Sequence, residues 1–596
     1  FSIFYNLINL MKNLAFLCLL FLVNACSDSN APSANMLSEK ESVQIKEYIV
    51  KQLSGKQAVD IKKTFGTNLR GLKLAGANLS GSDLSGVDLS DSEIARVDFS
   101  GCNLSGAKLQ GATIQESDFS NVIFENFSAQ HVDFQASIFN KTKFINSNFS
   151  GCNFEEADFT GAVIKGSRFD GAGLVKVIMQ DAVIENASFQ KANLVSSNFI
   201  GATITNSAFF GVDMRKANLS KITAKSCSFE SSDLSEFEAK GASFANVDFS
   251  QTILDDVKLA DDTKFDSCLF PSSSFKRAYL EKTMINNCNM NDSVLSSAVL
   301  KSSKIQDTYL NNVKFTGADI SGLYIDNSTI LNADFEKASL KEVKILNSNL
   351  SDARFTNNTA SKIELVNVNL AESYFENYNL EDSSFKKSDL SKVVFKNLYI
   401  KRTEFTVDKL DKIAIINANL EEVVFNNSPI ANSQIKDVSN VASVVINSPL
   451  TRNVMINNKG LVNFIITDSY NSMDELMNAR DLSGLNLAYM DFSGLEAKQQ
   501  IIFTEAILQG AKMVGAKFKN CVFKDADLSL ADLSKADLSG SEITNSILKR
   551  TIFNETDLSG AKLNNLDFRR AFVTKVNSKN AVLTGVVGLG GGLNNI

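Results

Sequence analysis

The first candidate for acid–base chemistry in this 596-residue chain is His131, the only histidine. It stands two residues after Ala129, and no Ser, Cys or metal-ligand constellation can be assembled around it from motif spacing, so it reads as a solvated side chain. Apart from Cys18 and Cys26, the cysteines (Cys102, Cys152, Cys227, Cys268, Cys288 and Cys521) each fall two residues before a large apolar residue. They read as small core residues, with no converging set that would hold a metal. Asp and Asn are abundant, but they recur with a period, so paired carboxylates arise by repetition and no general acid and base stand out. Tyr279, Tyr309, Tyr324, Tyr374 and Tyr399 precede large apolar positions and read as outward contact residues. The expectation is a protein with no catalytic residues, cofactor or metal.

The element that positions all of these has a period of five. In "KDADLSLADLSKADLSGSEI", Leu528, Leu533 and Leu538 are five apart. A five-residue step scatters side chains around an α-helix, and in a continuous strand it alternates them between faces. The pattern covers most of the chain. Steps of five from Leu69 through Phe99, Phe159 and Phe249 to Leu259 meet Leu, Ile, Met or Phe everywhere except Ala129, Ala224 and Ala239. After "KLADDTKF" the frame moves by one and runs from Phe265 through Phe315 and Phe395 to Ile465, with Ala360, Asn440 and Gly460 departing. Leu482, Leu487 and Phe492 form a third block, and Phe503 to Leu583 a fourth, in which Ser578 is polar. A small residue two before each centre, with Asp or Asn between, gives two inward side chains flanking one outward: a three-residue strand, then a turn. Such coils bury their inner faces only by stacking. Each undersized centre of the first block follows an oversized neighbour (Phe127 before Ala129, Ile222 before Ala224, Phe237 before Ala239), as a filled interior requires.

The motif A(D/N)LXX, written here as "GANLS GSDLS GVDLS", resembles the pentapeptide repeat family over roughly 500 residues. The resemblance implies an all-β solenoid, a right-handed quadrilateral β-helix in which roughly 100 pentads stack as about 25 coils. Four sides per coil would place Cys268 and Cys288, 20 residues apart, one coil apart. A disulfide between them is a candidate, although parallel inward Cβ vectors at strand spacing are wider than a relaxed bridge prefers.

Around the repeats, Met11 reads as the start, leaving residues 1–10 as upstream sequence, and 11–25 as a signal peptide whose apolar run is half a bilayer span. "VNAC" resembles the lipobox of bacterial lipoproteins, in which Cys26 would carry the lipid. Ser27 after it resembles proteins passed on to the outer membrane, which sets the expected place as the bacterial envelope. The domain reading is a tether at 26–37, a helical cap at 38–65, a β-helix at 66–466 with its frame shift near 260–264, a helical linker at 467–480, a second β-helix at 481–587 and a flexible tail at 588–596. In the cap, Ser38 and Glu41 have capping-box spacing, and Ile45, Tyr48, Ile49 and Leu53 mark one face.

Basic residues number 60 and acidic ones 67, a net charge of -7 with no one-signed side, so neither a nucleic-acid stripe nor an acidic face emerges. The leading expectation is therefore a non-enzymatic, lipid-anchored scaffold or spacer binding unidentified protein partners, in an oligomeric state the sequence leaves open. A second reading resembles family members that mimic DNA and bind a topoisomerase, which would call for a cytosolic start and a concentrated acidic face. A third, a surface β-helix binding or acting on carbohydrate, would call for a cleft with clustered carboxylates or aromatics, which the sequence does not display.

Overall fold

A computed structural model describes residues 36–428 and 481–588, apart from residues 56, 58, 427, 485, 486 and 489. Between 430 and 467, and at 593–594, it describes backbone strands only. Cys26, the segments before residue 36 and most of the 467–480 linker lie outside the described residues. The chain forms two compact units, residues up to 158 and residues from 159 onward, built from an all-β solenoid of about 23 turns.

In the first unit, helix α1 (Glu39–Ser54) begins with a reciprocal cap. The Ser38 hydroxyl accepts the Glu41 amide at 3.3 Å, and the Glu41 carboxylate accepts the Ser38 amide at 2.7 Å. Its inner face is Ser42, Ile45 and Ile49. Leu53, expected on that face, is 42% exposed, because the following turn carries the chain away to α2 (Ile61–Phe65), a short helix that periodicity did not indicate. Tyr48 packs edge-on against Phe65 at 5.4 Å. The cap also satisfies the first coil's open edge: the Lys73 amide donates to the Ser42 hydroxyl at 3.1 Å, and the Leu37 amide to the Arg70 carbonyl at 2.8 Å.

The coils follow from the pentad. Strands Lys73–Ala75, Glu93–Ala95 and Thr113–Gln115 pair in parallel with Leu74, Ile94 and Ile114 in register, so partners are 20 residues apart and four pentads close a turn. The pentad at Phe119 shows the parts. Ser117 and Phe119 are buried, Asp118 and Ser120 point out, and Asn121 (φ 62°) takes the left-handed conformation that turns the corner. The Asp118 carboxylate accepts the Ser120 amide at 2.7 Å, an Asx turn that explains the Asp or Asn of the motif. The corner amide of Asn121 donates to the Asn140 carbonyl of the next coil at 3.0 Å.

In the second unit a ladder of the same kind runs from strand Val163–Lys165 to Phe464–Thr467. Its one 21-residue step below residue 420 joins Phe244 to Phe265. There the extra residue sits in a corner, where Asp261 (φ 55°) and Asp262 (φ 65°) are left-handed in succession and the strand phase is untouched. A second irregularity corrects the single frame expected up to Ile465. Asn419 pairs with Ser439 but Glu421 with Ala442, after which Phe425 meets Ile446 and Ile435 meets Ile456. Asn440, a polar residue at a would-be apolar centre, lies in that bulge. The last stretch pairs Val522–Lys524, Glu542–Thr544, Lys562–Asn564 and Val582–Thr584.

The interior is columns of like residues. Phe169, Phe189, Phe209, Phe229, Phe249 and Phe270 stack at 4.8–5.3 Å, and Phe315 to Phe395 at 4.6–5.1 Å. Leu69, Phe99, Phe159, Phe249, Phe315, Phe395, Leu528, Leu533 and Leu538 are all at most 2% exposed. Where a centre is small, a neighbour fills the space. Phe127, Ile222 and Phe237 are buried beside Ala129, Ala224 and Ala239, and near Ala360 the buried Tyr378 packs edge-on against Phe375 at 5.6 Å.

Candidate binding surface

Two residues of each pentad are consumed by the core, so any site must be built from what faces outward and from the corners. The outward charges are paired along the stack. Lys165 meets Glu185 at 3.0 Å, Lys344 meets Glu364 at 2.9 Å, Lys396 meets Glu376 at 2.9 Å and Lys401 meets Glu421 at 2.6 Å, each pair 20 residues apart. Hydrogen bonding from Lys396, then from Tyr374, holds the Glu376 carboxyl below its ordinary range, and Lys401 with Tyr399 does the same for Glu421. These exposed pairs add little stability, but they cancel charge coil by coil. Among the described residues no group of three or more His, Cys, Asp or Glu side chains could hold a metal ion.

His131 is at an exposed corner (φ 57°), and no side chain among the described residues hydrogen-bonds to its ring. The imidazole lies across Gly151 of the next coil: a Cβ there would come within 2.5 Å of Nδ1, and Gly151 is itself left-handed (φ 70°). The six described cysteines are buried and free. Burial pushes the Cys102 and Cys521 thiols up to about 11 and that of Cys152 up to about 12, which disfavours the thiolate at these three positions. Cys268 and Cys288 are one coil apart and unbridged. The Cys288 sulfur instead accepts the Cys268 amide at 3.3 Å.

That bond belongs to a ladder that sequence reasoning missed. The Cys288 amide donates to the Thr308 hydroxyl at 3.3 Å, Thr308 to Ser328 at 3.2 Å and Ser328 to Ser348 at 3.1 Å. Where the residue two before a centre is Ser, Thr or Cys it thus fills space and can also satisfy a buried amide of the coil before it. Ser348→Ala should orphan the Ser328 amide and cost about 1–3 kcal/mol. Thermal unfolding together with faster hydrogen exchange at Ser328 is the check, and unchanged exchange there would remove the ladder's energetic role.

Concave ground among the described residues includes a hollow of about 440 Å³ lined by Lys240, Lys258, Asp261, Tyr279, Glu281 and Lys282, and two troughs on another corner of the second unit. A trough of about 450 Å³ is lined by Asn327 and Thr329, Asn347 and Asn349, Asn367 and Asn369 and, at its far end, by Lys387, Asp389, Asp408 and Lys409. A second, of about 690 Å³, is lined on the same corner of earlier coils by Asn186, Asn206, Asn246, Ser188, Ser226 and Ser228, with no charged side chain in it. The five outward tyrosines do not share a side. Tyr324 donates to Asp326 at 3.0 Å and Tyr399 to Glu421 at 2.7 Å, whereas Tyr309, 55% exposed, stands in register between Asn289 and Thr329 beside the trough.

A parallel solenoid with a four-pentad turn and a filled core defines a pentad-based repeat protein. The chain belongs to the pentapeptide repeat family: the model of pentapeptide repeats (8 copies) matches residues 65–101, 91–126, 130–174, 178–220, 324–357, 501–540 and 536–574, and that of the pentapeptide repeat region matches 260–335. No enzyme family is indicated. Among solved structures it is similar to HetL, a pentapeptide repeat protein involved in heterocyst differentiation regulation from the cyanobacterium Nostoc sp. strain PCC 7120 (19% identity, 40% of this chain and 85% of that one, TM-score 0.14). It is also similar to a pentapeptide repeat protein of the Arabidopsis thaliana thylakoid lumen (31% identity, 16% and 61%, TM-score 0.13). A third is QnrB1, a plasmid-mediated fluoroquinolone resistance protein (19% identity, 32% and 86%, TM-score 0.19). Comparison with curated proteins gives no match.

Proposed function

We propose that this protein is a non-enzymatic binding scaffold, held at the bacterial envelope by a lipid on Cys26, that presents its outward side chains to protein partners. The observation that carries the binding part is the division of labour in the pentad. Inward positions are committed to the core, while the outward ones form long faces of short polar and paired charged side chains. The alternation of Lys and Glu along the stack argues against a mimic of DNA, which needs an unbroken acidic face. "VNAC" behind a short apolar run supports the anchor.

Cys26→Ala should abolish metabolic labelling with radioactive palmitate and move the protein from the membrane fraction to the soluble one. Labelling that persists would end the anchor reading. For the binding part, photo-crosslinkers placed at outward positions should trap discrete protein adducts in envelopes, and crosslinkers that trap none at any face would count against a scaffold.

A further inference from the structure

We propose that the corner trough of the second unit binds a linear, uncharged glycan lying along the solenoid axis, about one sugar per coil. One wall is Thr329, Asn349 and Asn369, a ladder column that continues past the trough's end through Tyr309 and Asn289 to Leu269. The other is the left-handed corner, with Asn327, Asn347 and Asn367.

The polar groups of both walls are held in place. Along the first column the side-chain oxygens are used internally: Asn349 accepts the Ser351 amide at 3.1 Å and Asn369 the Ala371 amide at 2.9 Å within the trough, and Asn289 the Asn291 amide at 3.0 Å beyond its end. Each of these Asx turns fixes the side chain and leaves its NH2 group without a protein partner among the described residues. On the corner, Asn367 donates to Asn347 at 2.9 Å, Asn347 to Asp326 at 2.9 Å and Asn327 to Asp307 at 2.5 Å, which locks a second row of amides. Pre-oriented donors lose little entropy on binding.

Charge and shape select the ligand. Asp307 and Asp326 lie at this corner, and Lys387 and Lys409 are offset by Asp389 and Asp408 at its end, so neither a polyanion nor a polycation is favoured. An extended peptide binds by adding to an open strand edge, and here the strands are already paired on both sides within the stack. A chain of neutral sugars offers hydroxyls for the amides of the trough and, where it runs past the trough's end, apolar ring faces for Tyr309 one coil on and for Leu269 beyond it, which are about half exposed. The coil spacing, seen in the 4.6–5.3 Å ring stacking, is close to the advance per sugar in an extended glycan. The trough is shallow, so each sugar contributes weakly and affinity should grow with chain length. This proposal is separate from the lipid anchor and from any protein partner, and loss of either leaves it standing.

The test is calorimetric titration of the purified protein with cellohexaose, chitohexaose and maltohexaose, with their trisaccharides, and with hexagalacturonate as the acidic probe. At least one neutral hexasaccharide should bind saturably, at least tenfold tighter than its trisaccharide. Tyr309→Ala should weaken that binding at least tenfold. Asn349→Asp should do the same, because it keeps the Asx acceptor and hence the fold but removes the NH2 donor. Circular dichroism of both variants should match that of the parent. Absence of binding by all three neutral probes, binding by hexagalacturonate alone, or neutral binding that neither variant weakens would each overturn the proposal.

Discussion

Replacing Phe209 by alanine should cost about 3–5 kcal/mol, whereas the same change at the adjacent Phe210 should cost no more than about 0.5 kcal/mol. Phe209 is fully buried and stacked between Phe189 at 4.9 Å and Phe229 at 4.8 Å. Its neighbours cannot close the gap, because the spacing of the column is set by the backbone ladder rather than by the rings, and a cavity that cannot collapse carries the full penalty. Phe210 is the next outward residue of the same pentad and is 38% exposed, so truncation removes little contact and leaves no void. The loss should also be local, since a solenoid's stability is a sum of neighbouring interfaces. Hydrogen exchange should accelerate around residues 189–229 while the coils near Phe335 stay protected. Equal effects of the two substitutions would mean that the inward and outward assignment is wrong.

The second large effect concerns phase. One alanine inserted between Ile305 and Gln306, inside a strand, should destabilise that region by roughly 3–6 kcal/mol, because a one-residue slip turns the following inward side chains, Thr308 and then Leu310, toward solvent until a corner absorbs the excess. Deleting Asp262 should change stability by no more than about 1 kcal/mol. That residue is the second of two left-handed residues in a corner, and its removal restores a 20-residue turn while relieving backbone strain of similar size. Urea unfolding monitored by hydrogen exchange on strand Lys304–Gln306 for the insertion and on strand Lys264–Asp266 for the deletion separates the cases, and an insertion tolerated as well as the deletion would show that strand phase is not what the fold protects.

Much of this architecture was legible because the core is a local code. Leu528, Leu533 and Leu538 announce their burial within a dozen residues, and the pairing of Phe127 with Ala129 sits inside one pentad. What escaped depends on residues a full turn apart. Ser348 looks like a small filler until the Ser328 amide is seen pointing at it, and the trough is assembled from residues in successive coils, so no stretch of sequence displays a cleft. The shift at Asn440 escaped because Val445 stands next to Ile446 and Met455 next to Ile456, so a count by fives still meets apolar residues after the pairing has moved by one. The exposure of Leu53 escaped because a helix face continues in sequence beyond the point where the packed element bends away.

Tyr378 has a spectroscopic consequence. The chain has no tryptophan, so its near-ultraviolet absorbance comes from tyrosine and phenylalanine, and among the described tyrosines only Tyr378 is fully buried. Burial holds its phenol far above the ordinary value. In alkali the exposed phenols therefore ionise while the protein is folded, and Tyr378 ionises only when its own coil opens. The sign follows from linkage: a phenol whose folded value is raised keeps its proton in the native state when the unfolded state has already lost it, so its stabilising contribution is complete below about pH 10 and declines above it. The lag between the bulk phenolate signal and this last tyrosine is then an optical gauge of how often the coil around Ala360 and Leu380 breathes, available without any label.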